Sequence, residues 1–357
     1  MIESRFAETA SFSVGVEEEL MVLDAESLEL APRAAELIEA ADEVELPGTL
    51  KSELFASALE LNTGICDSAE HAAGSLSELR REAARLAAER GLRLAAAGSH
   101  PVSRPEDQEI ANEPRYLEFV EYAGVSARRQ GVSGLHVHVG MPSAEACFRV
   151  LEGILPWLPV VLAWSANSPY LAGEETGLLS NRAEVLGQLP RNGAPPAFRS
   201  YEEWEEFAEL LMRVGVIDDY TRLWWDVRPH PRFGTLEIRM PDQPTELDRT
   251  VGFVAVLKGL CDAALGLPQR PFDPAGRGIY AQNRWAASRF GLGAELVHPD
   301  GDRLARASEL AEELVALTGV DGLDPGRMEA ERQLEVGRRD GLLAVSADLV
   351  ERTLSSS

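Results

Sequence analysis

Apolar and polar positions change period several times along this chain, and the changes predict its elements. Residues 12–23, "FSVGVEEELMVL", hold Val14, Val16, Leu20, Val22 and Leu23 in a run that reads as a buried strand, although three glutamates stand in a row inside it. Similar short alternating or apolar runs occur at 92–98, 132–141 ("VSGLHVHVGM") and 233–240 ("FGTLEIRM"). Helical periodicity governs 68–91, with Gly91 as C-cap candidate, 245–266, with Thr245 as N-cap candidate, and 302–319. Strands with one polar face interspersed with long amphipathic helices predict an antiparallel or mixed sheet, helices covering one face and a site lying on the other.

The longest apolar passage, 150–164, contains Glu152 and two prolines, which predicts a buried helix broken at a proline rather than a membrane span. With no targeting segment in "MIESRFAETA", the expectation is a soluble cytoplasmic protein of one domain over 1–357 that uses no membrane. Residues 168–201, rich in Gly, Pro, Asn and Arg, form a loop long enough to be a lid or binding loop.

The chain has 59 acidic and 34 basic residues, a formal charge of -25, and only two lysines, Lys51 and Lys258. Such a surface repels phosphate backbones and argues against nucleic acid as a partner, while leaving room for arginines gathered in a cleft. Cys66, Cys147 and Cys261 are far apart in apolar surroundings and read as inert core thiols. No glycine-rich nucleotide fingerprint follows any strand.

In a strand, residues two apart share a face, so Glu17 and Glu19 point one way and Glu18 the other. Two carboxylates on one face are part of a site for a hard cation, or merely a solvated edge. His136 and His138 share a face of a second strand, and Glu237 and Arg239 a face of a third. Alone, the histidines could be a hydrogen-bonded pair or the metal pair of a hydrolase, and Glu237 with Arg239 a structural ion pair. Glu53 and Glu60, seven apart, return to one side if their segment is helical, whereas Glu60 and Asn62 share a face if its end is extended. So many polar groups on otherwise apolar strands point to function. In "WWDVRPHPRFGTLEIRMPD", Arg228, Arg232 and Arg239 offer planar forks for phosphate or carboxylate. Trp224 and Trp225 offer flat surfaces for packing or base stacking, and His230 reads as a turn residue.

The blocks "SVGVEEELMVLD", "GLHVHVGMP", "WWDVRPHPRFGTLEIRMPDQPT" and "NRWAASRFGL" resemble, in order and spacing, those of the carboxylate-amine ligase family, also called glutamate-cysteine ligase type 2. The resemblance implies a glutamine synthetase-like α+β fold, a curved antiparallel sheet funnel with helices outside. It implies ATP-dependent joining of the γ-carboxylate of L-glutamate to the amine of L-cysteine, or another amine, through an acyl phosphate, with Mg²⁺ or Mn²⁺ as cofactor and a homodimer as the assembly. The metal ligands it implies are Glu17, Glu19, Glu53, Glu60 and Glu237 with His136, or His138 serving in its place or orienting it. Arg239 and Arg228 are implied as catalytic along with Glu60. Arg228, Arg232 and Arg239 are implied to bind the nucleotide or substrate, with Arg182 a candidate for glutamate's α-carboxylate. Glu174 and Glu175 stand where the resemblance leads one to expect more basic residues, which bears on the acid or amine accepted. The other readings that the residues allow are a metal-dependent hydrolase using His136 and His138, and a catalytically silent nucleotide or metabolite sensor.

Overall fold

A computed structural model describes residues 2–6, 8 and 10–355. Its strands are β1 (Val14–Asp24), β2 (Gly48–Ser52), β3 (Ala58–Thr63), β4 (Leu92–Ala95), β5 (Leu135–Gly140), β6 (Tyr170–Leu171), β7 (Glu174–Glu175), β8 (Val227–His230), β9 (Thr235–Ile238), β10 (Glu295–Val297) and β11 (Leu304–Arg306). Seven of them form one sheet in the order β2-β3-β1-β5-β9-β8, with β4 paired to the far end of β1, and every pairing is antiparallel. Pro229, which cannot donate to a ladder, lies in β8 at the sheet's edge.

Alternation decides which face each side chain takes. Val14, Val16, Leu135, Val137, Leu236 and Ile238 pack in one core with Leu76 from the helix Ala69–Ala88 and Phe253 and Leu257 from the helix Leu247–Gly266. The opposite face carries the polar partners. The apolar stretch folds as a helix Ala144–Ile154, a 3₁₀ turn at Leu155–Trp157 and a helix Leu158–Ser165, the break falling at Pro156. Residues 144–165 are long and apolar enough to cross a membrane by length and composition, but they belong largely to the core. The three cysteines are free and buried.

Several expectations need correction. The segment carrying Glu53 and Glu60 is the β2–β3 hairpin, not a helix: Leu59 and Leu61 alternate inward while Glu60 and Asn62 face the other way. The helix expected over 68–91 ends at Ala88, so Gly91, at φ +69°, lies beyond its cap. Thr245 does not cap the next helix, which begins at Leu247 with Glu246 at its N-cap; the Thr245 hydroxyl instead accepts from Asn167 Nδ2 at 3.0 Å. The helix expected from 302 starts at Ala307, after β11. The long loop is partly ordered: Ser168 and Ser180 donate to Asp242 at 2.7 and 2.8 Å, β6 and β7 pair within it, and Asn181–Leu186 is helical.

Buried His100 fixes a turn after β4. Its Nδ1 accepts the amides of Ser103 (2.9 Å) and Val102 (3.3 Å), and its Nε2 lies 3.0 Å from the Leu28 carbonyl, so the neutral Nε2–H tautomer satisfies all three contacts. Burial pushes its pKa down to about 4, partly offset by the Leu28 carbonyl. The folded value lies below the unfolded one, so this contribution is complete above pH 6.5 and is lost as pH falls from about 6.5 to 4, amounting to about 3 kcal/mol. Denaturation curves of wild type and His100→Gln should differ in slope over that interval. Parallel curves would exclude the assignment.

Candidate active site

Directly opposed residues of antiparallel strands project to one face, so register assembles the polar groups into rows. One row runs Lys51, Glu60, Glu19 across β2, β3 and β1. The next runs Thr49, Asn62, Glu17, His136, ending on β5. A third runs Gly15, His138, Glu237, Arg228 across β1, β5, β9 and β8. Groups from six strands, in four stretches far apart in sequence, thus meet on one sheet face.

Two clusters result. Glu17, His138 and Glu237 each bring one ligand atom within 4.8 Å of the others, and so do Glu19, Glu53 and Glu60. His136 stands between them, with Nδ1 3.2 Å from Glu17 and Nε2 3.7 Å from Glu19. The geometry therefore puts His138, rather than His136, with Glu17 and Glu237. His138 Nδ1 is 2.9 Å from the Thr235 hydroxyl, leaving Nε2 to face Glu17.

The two clusters differ in charge. Burial would raise the Glu17 carboxyl, but hydrogen bonds and charge from His136 and His138 hold it well below the ordinary value. Burial would likewise raise Glu237, yet Arg228 and Arg239, with His138, drive it far down. In the second cluster nothing offsets burial to that extent. Burial and then the charges of Glu60 and Glu19 push Glu53 well up, and burial with the charge of Glu17 raises Glu60, although Asn62 donates to it at 2.7 Å. Carboxylates crowded in this way form the donor set that a hard divalent cation compensates, so the residues present fit Mg²⁺ or Mn²⁺.

The arginines divide. Arg228 is buried, grips Glu237 with Nε (2.6 Å) and Nη2 (3.2 Å), and gives Nη1 to the carbonyls of Leu223 (2.9 Å) and Thr221. Arg239 gives only Nη1 to Glu237, at 2.5 Å, and its side chain is 21% exposed. Arg182 is buried and donates to the carbonyls of Arg239 (3.0 Å) and Met240 (3.2 Å). Its guanidinium lies against Gly134, where a Cβ would come within 2.0 Å of Nη2, and the Gly134 amide donates to Glu19 at 2.5 Å. Arg232 pairs with Asp219 at 2.7 Å on the rim of a cavity of about 380 Å³. That cavity has Glu17, His138 and Thr235 on its inner walls, and Arg5 and Lys51 join Arg232 around it.

Sequence reasoning missed Lys51 and Gly134, and it read His230 as a turn. His230 ends β8, stacks on Phe233 at 4.1 Å and sits 3.2 Å from the Tyr220 hydroxyl. Alternation of Leu59 and Leu61 was the signal that could have found Lys51, because it implies a strand paired with its neighbour. Trp224 and Trp225 separate: Trp224 contacts Phe119 and Arg191, while Trp225 packs against Phe198 and Phe207. Glu175 is exposed and pairs with Arg338 at 2.6 Å.

The fold, a seven-stranded antiparallel sheet with helices packed on one face, has a counterpart among solved structures. The glutamate–cysteine ligase of Francisella tularensis in complex with AMP superposes with a TM-score of 0.72 at 14% identity, over 98% of this chain and 90% of that one. The model of glutamate–cysteine ligase family 2 matches residues 13–339, and the chain belongs to that family. Two Rubrobacter xylanophilus proteins are similar over nearly all of it. One, named "Putative glutamate--cysteine ligase 2-3", is 41% identical over 99% of this chain and 100% of its own length. The other, "Putative glutamate--cysteine ligase 2-1", is 36% identical over 96% of this chain and 95% of its own.

Proposed function

We propose that the protein is an ATP-dependent carboxylate–amine ligase joining the γ-carboxylate of L-glutamate to the amine of L-cysteine, or of a similar amine, through γ-glutamyl phosphate. The observation that carries this is the pair of adjoining acidic clusters on one sheet face with Arg239 beside them. A divalent cation held there by Glu17, His138 and Glu237, or by Glu19, Glu53 and Glu60, would neutralise phosphate oxygens as two anions approach. The cavity beside Glu17 and His138, with Arg5, Lys51 and Arg232 around it, suits a polyphosphate in a chain that is otherwise strongly acidic.

In the first step a γ-carboxylate oxygen bonds to the γ-phosphorus of ATP, the bond to the β-phosphate oxygen breaks and ADP leaves. In the second the amine nitrogen bonds to the acyl carbon, loses its proton, and phosphate departs. The protein's part is to position and to neutralise. Arg239 faces the reacting groups with most of its fork, whereas Arg228 orients Glu237 and Arg182 supports Gly134 and through it Glu19. Membership in a ligase family favours this over a hydrolase built on His136 and His138, or a silent sensor.

Phosphate release with Mg²⁺, ATP and L-glutamate across a panel of amines tests the reading. It requires release that depends on both acid and amine, and no ATP turnover by folded protein with any pair would sink it. Arg239→Lys, which loses the planar fork, is expected to cost about 1.5–3 kcal/mol, roughly 10- to 150-fold in kcat/KM. Arg228→Lys should instead lower the thermal midpoint. Near-normal turnover in Arg239→Lys would make Arg239 structural.

A further inference from the structure

The proposed ligands on β1 are separated by Glu18, whose side chain enters the helix-covered face and is completely buried. Its carboxylate accepts Arg80 Nε (2.8 Å) and Nη2 (2.6 Å), Gln243 Nε2 (2.9 Å) and the Thr250 hydroxyl (2.8 Å). Arg80 continues to the carbonyls of Thr245 (2.7 Å) and Thr353 (2.9 Å). At this point β1 changes neighbours, pairing with β5 as far as Glu18 and with β4 from Met21 onward. Across the break, the amide of Glu19 donates to Gln243 Oε1 at 3.1 Å. Gln243 is itself fully buried, and its Nε2 also reaches the Pro244 carbonyl at 3.0 Å. One side chain therefore holds the Glu18 carboxylate on the back of the sheet and the main chain of Glu19, whose side chain is on the front, in the sheet's plane.

We infer that Gln243, acting with Glu18, is a positioning residue for the cation clusters on the opposite face, setting where Glu19 stands relative to Glu17. The inference rests on the cation-binding reading above. Glu19 is held at both ends, its amide by Gln243 and its carboxylate by the Gly134 amide. Hard cations discriminate sharply by the placement of their oxygens, and a fully satisfied buried network moves little. Loosening the amide shifts the carboxylate it carries. Groups that orient ligands in this way change metal affinity about 10- to 100-fold when removed.

The test is Mn²⁺ binding to the full chain, followed by the electron paramagnetic resonance signal of the free ion, with no nucleotide or turnover involved. Gln243→Met keeps the length and removes all three side-chain hydrogen bonds; it should weaken one class of Mn²⁺ site tenfold or more. Thr250→Val, a milder change that spares the fold, should weaken the same class by a smaller factor. Leu310→Ala, a core variant on the helix Ala307–Thr318 away from the site strands, should lose stability and bind Mn²⁺ as wild type does. Wild-type affinity in both Gln243→Met and Thr250→Val, with only the thermal midpoint lowered, overturns the inference alone. If Gln243→Met does not fold, Thr250→Val decides. Absence of Mn²⁺ uptake by the wild-type chain overturns the cation reading and this inference together.

Discussion

Exchanging Glu60 for glutamine is expected to reduce ATP-dependent ligation at least about 100-fold, a loss of about 2.7 kcal/mol or more of transition-state stabilisation, while leaving the fold as stable as before or more so. Glu60 is almost fully buried, opposite both Glu19 and Lys51 in the sheet. Burial and the charge of Glu17 raise its pKa, which disfavours the ionised form, and a bound cation would restore it. Glutamine has the same shape but puts an amide where a cation needs an anionic oxygen. It also removes one of the like charges facing Glu53, which is why the thermal midpoint without added cation should stay level or rise. Measuring phosphate release and thermal melting on the same preparation separates the two effects. Turnover within threefold of wild type would remove Glu60 from the machinery, and a large fall in the midpoint would make its role structural.

Replacing Arg80 by methionine is expected to destabilise the protein by about 3–5 kcal/mol, the usual cost of leaving one charge of a buried pair alone. Glu18 is wholly enclosed and Arg80 nearly so, at 0% and 3% side-chain exposure, so solvent cannot take over the lost partner. The carbonyls of Thr245 and Thr353 would lose their donor as well, loosening the C-terminal helix Leu342–Thr353 from the sheet. The double replacement Arg80→Met with Glu18→Met should recover much of the loss, because an apolar pair of similar volume leaves no orphaned charge. Urea unfolding of the single and double variants checks both statements. A single variant within 1 kcal/mol of wild type, on the order of a surface pair, would show that Glu18 is held by its other partners.

Glu17, Glu18 and Glu19 show how far residue order alone reaches. A period of two was enough to send Glu17 and Glu19 to one face and Glu18 to the other, and the structure keeps that division. Whether Glu18 was structural or solvated depended on Arg80, Gln243 and Thr250, which lie 62, 225 and 232 residues away and show no pattern linking them to it. The histidines were placed on the right face by the same alternation, but register chose His138 for the Glu17 and Glu237 group. Spacing left open whether Glu53 and Glu60 meet on a helix or Glu60 and Asn62 share a strand face; the β2–β3 hairpin does both, since seven residues can close a turn as well as two helical turns. The arginines of "WWDVRPHPRFGTLEIRM" looked equivalent as a string. Burial separated them, committing Arg228 to Glu237 and main-chain carbonyls and leaving Arg239 turned toward the site.

By itself, then, the sequence determined the α+β class, the polar face of the central strands, the buried helix broken at Pro156 and the family resemblance, because these follow from local periodicity and from contiguous blocks of residues. Only the tertiary structure decided the register that gathers four distant stretches into two clusters, the fork that Arg239 keeps for the site, and the clamp behind Glu19. Those depend on which groups remain after every other donor and acceptor has found its partner, and that reckoning is made in space rather than along the chain.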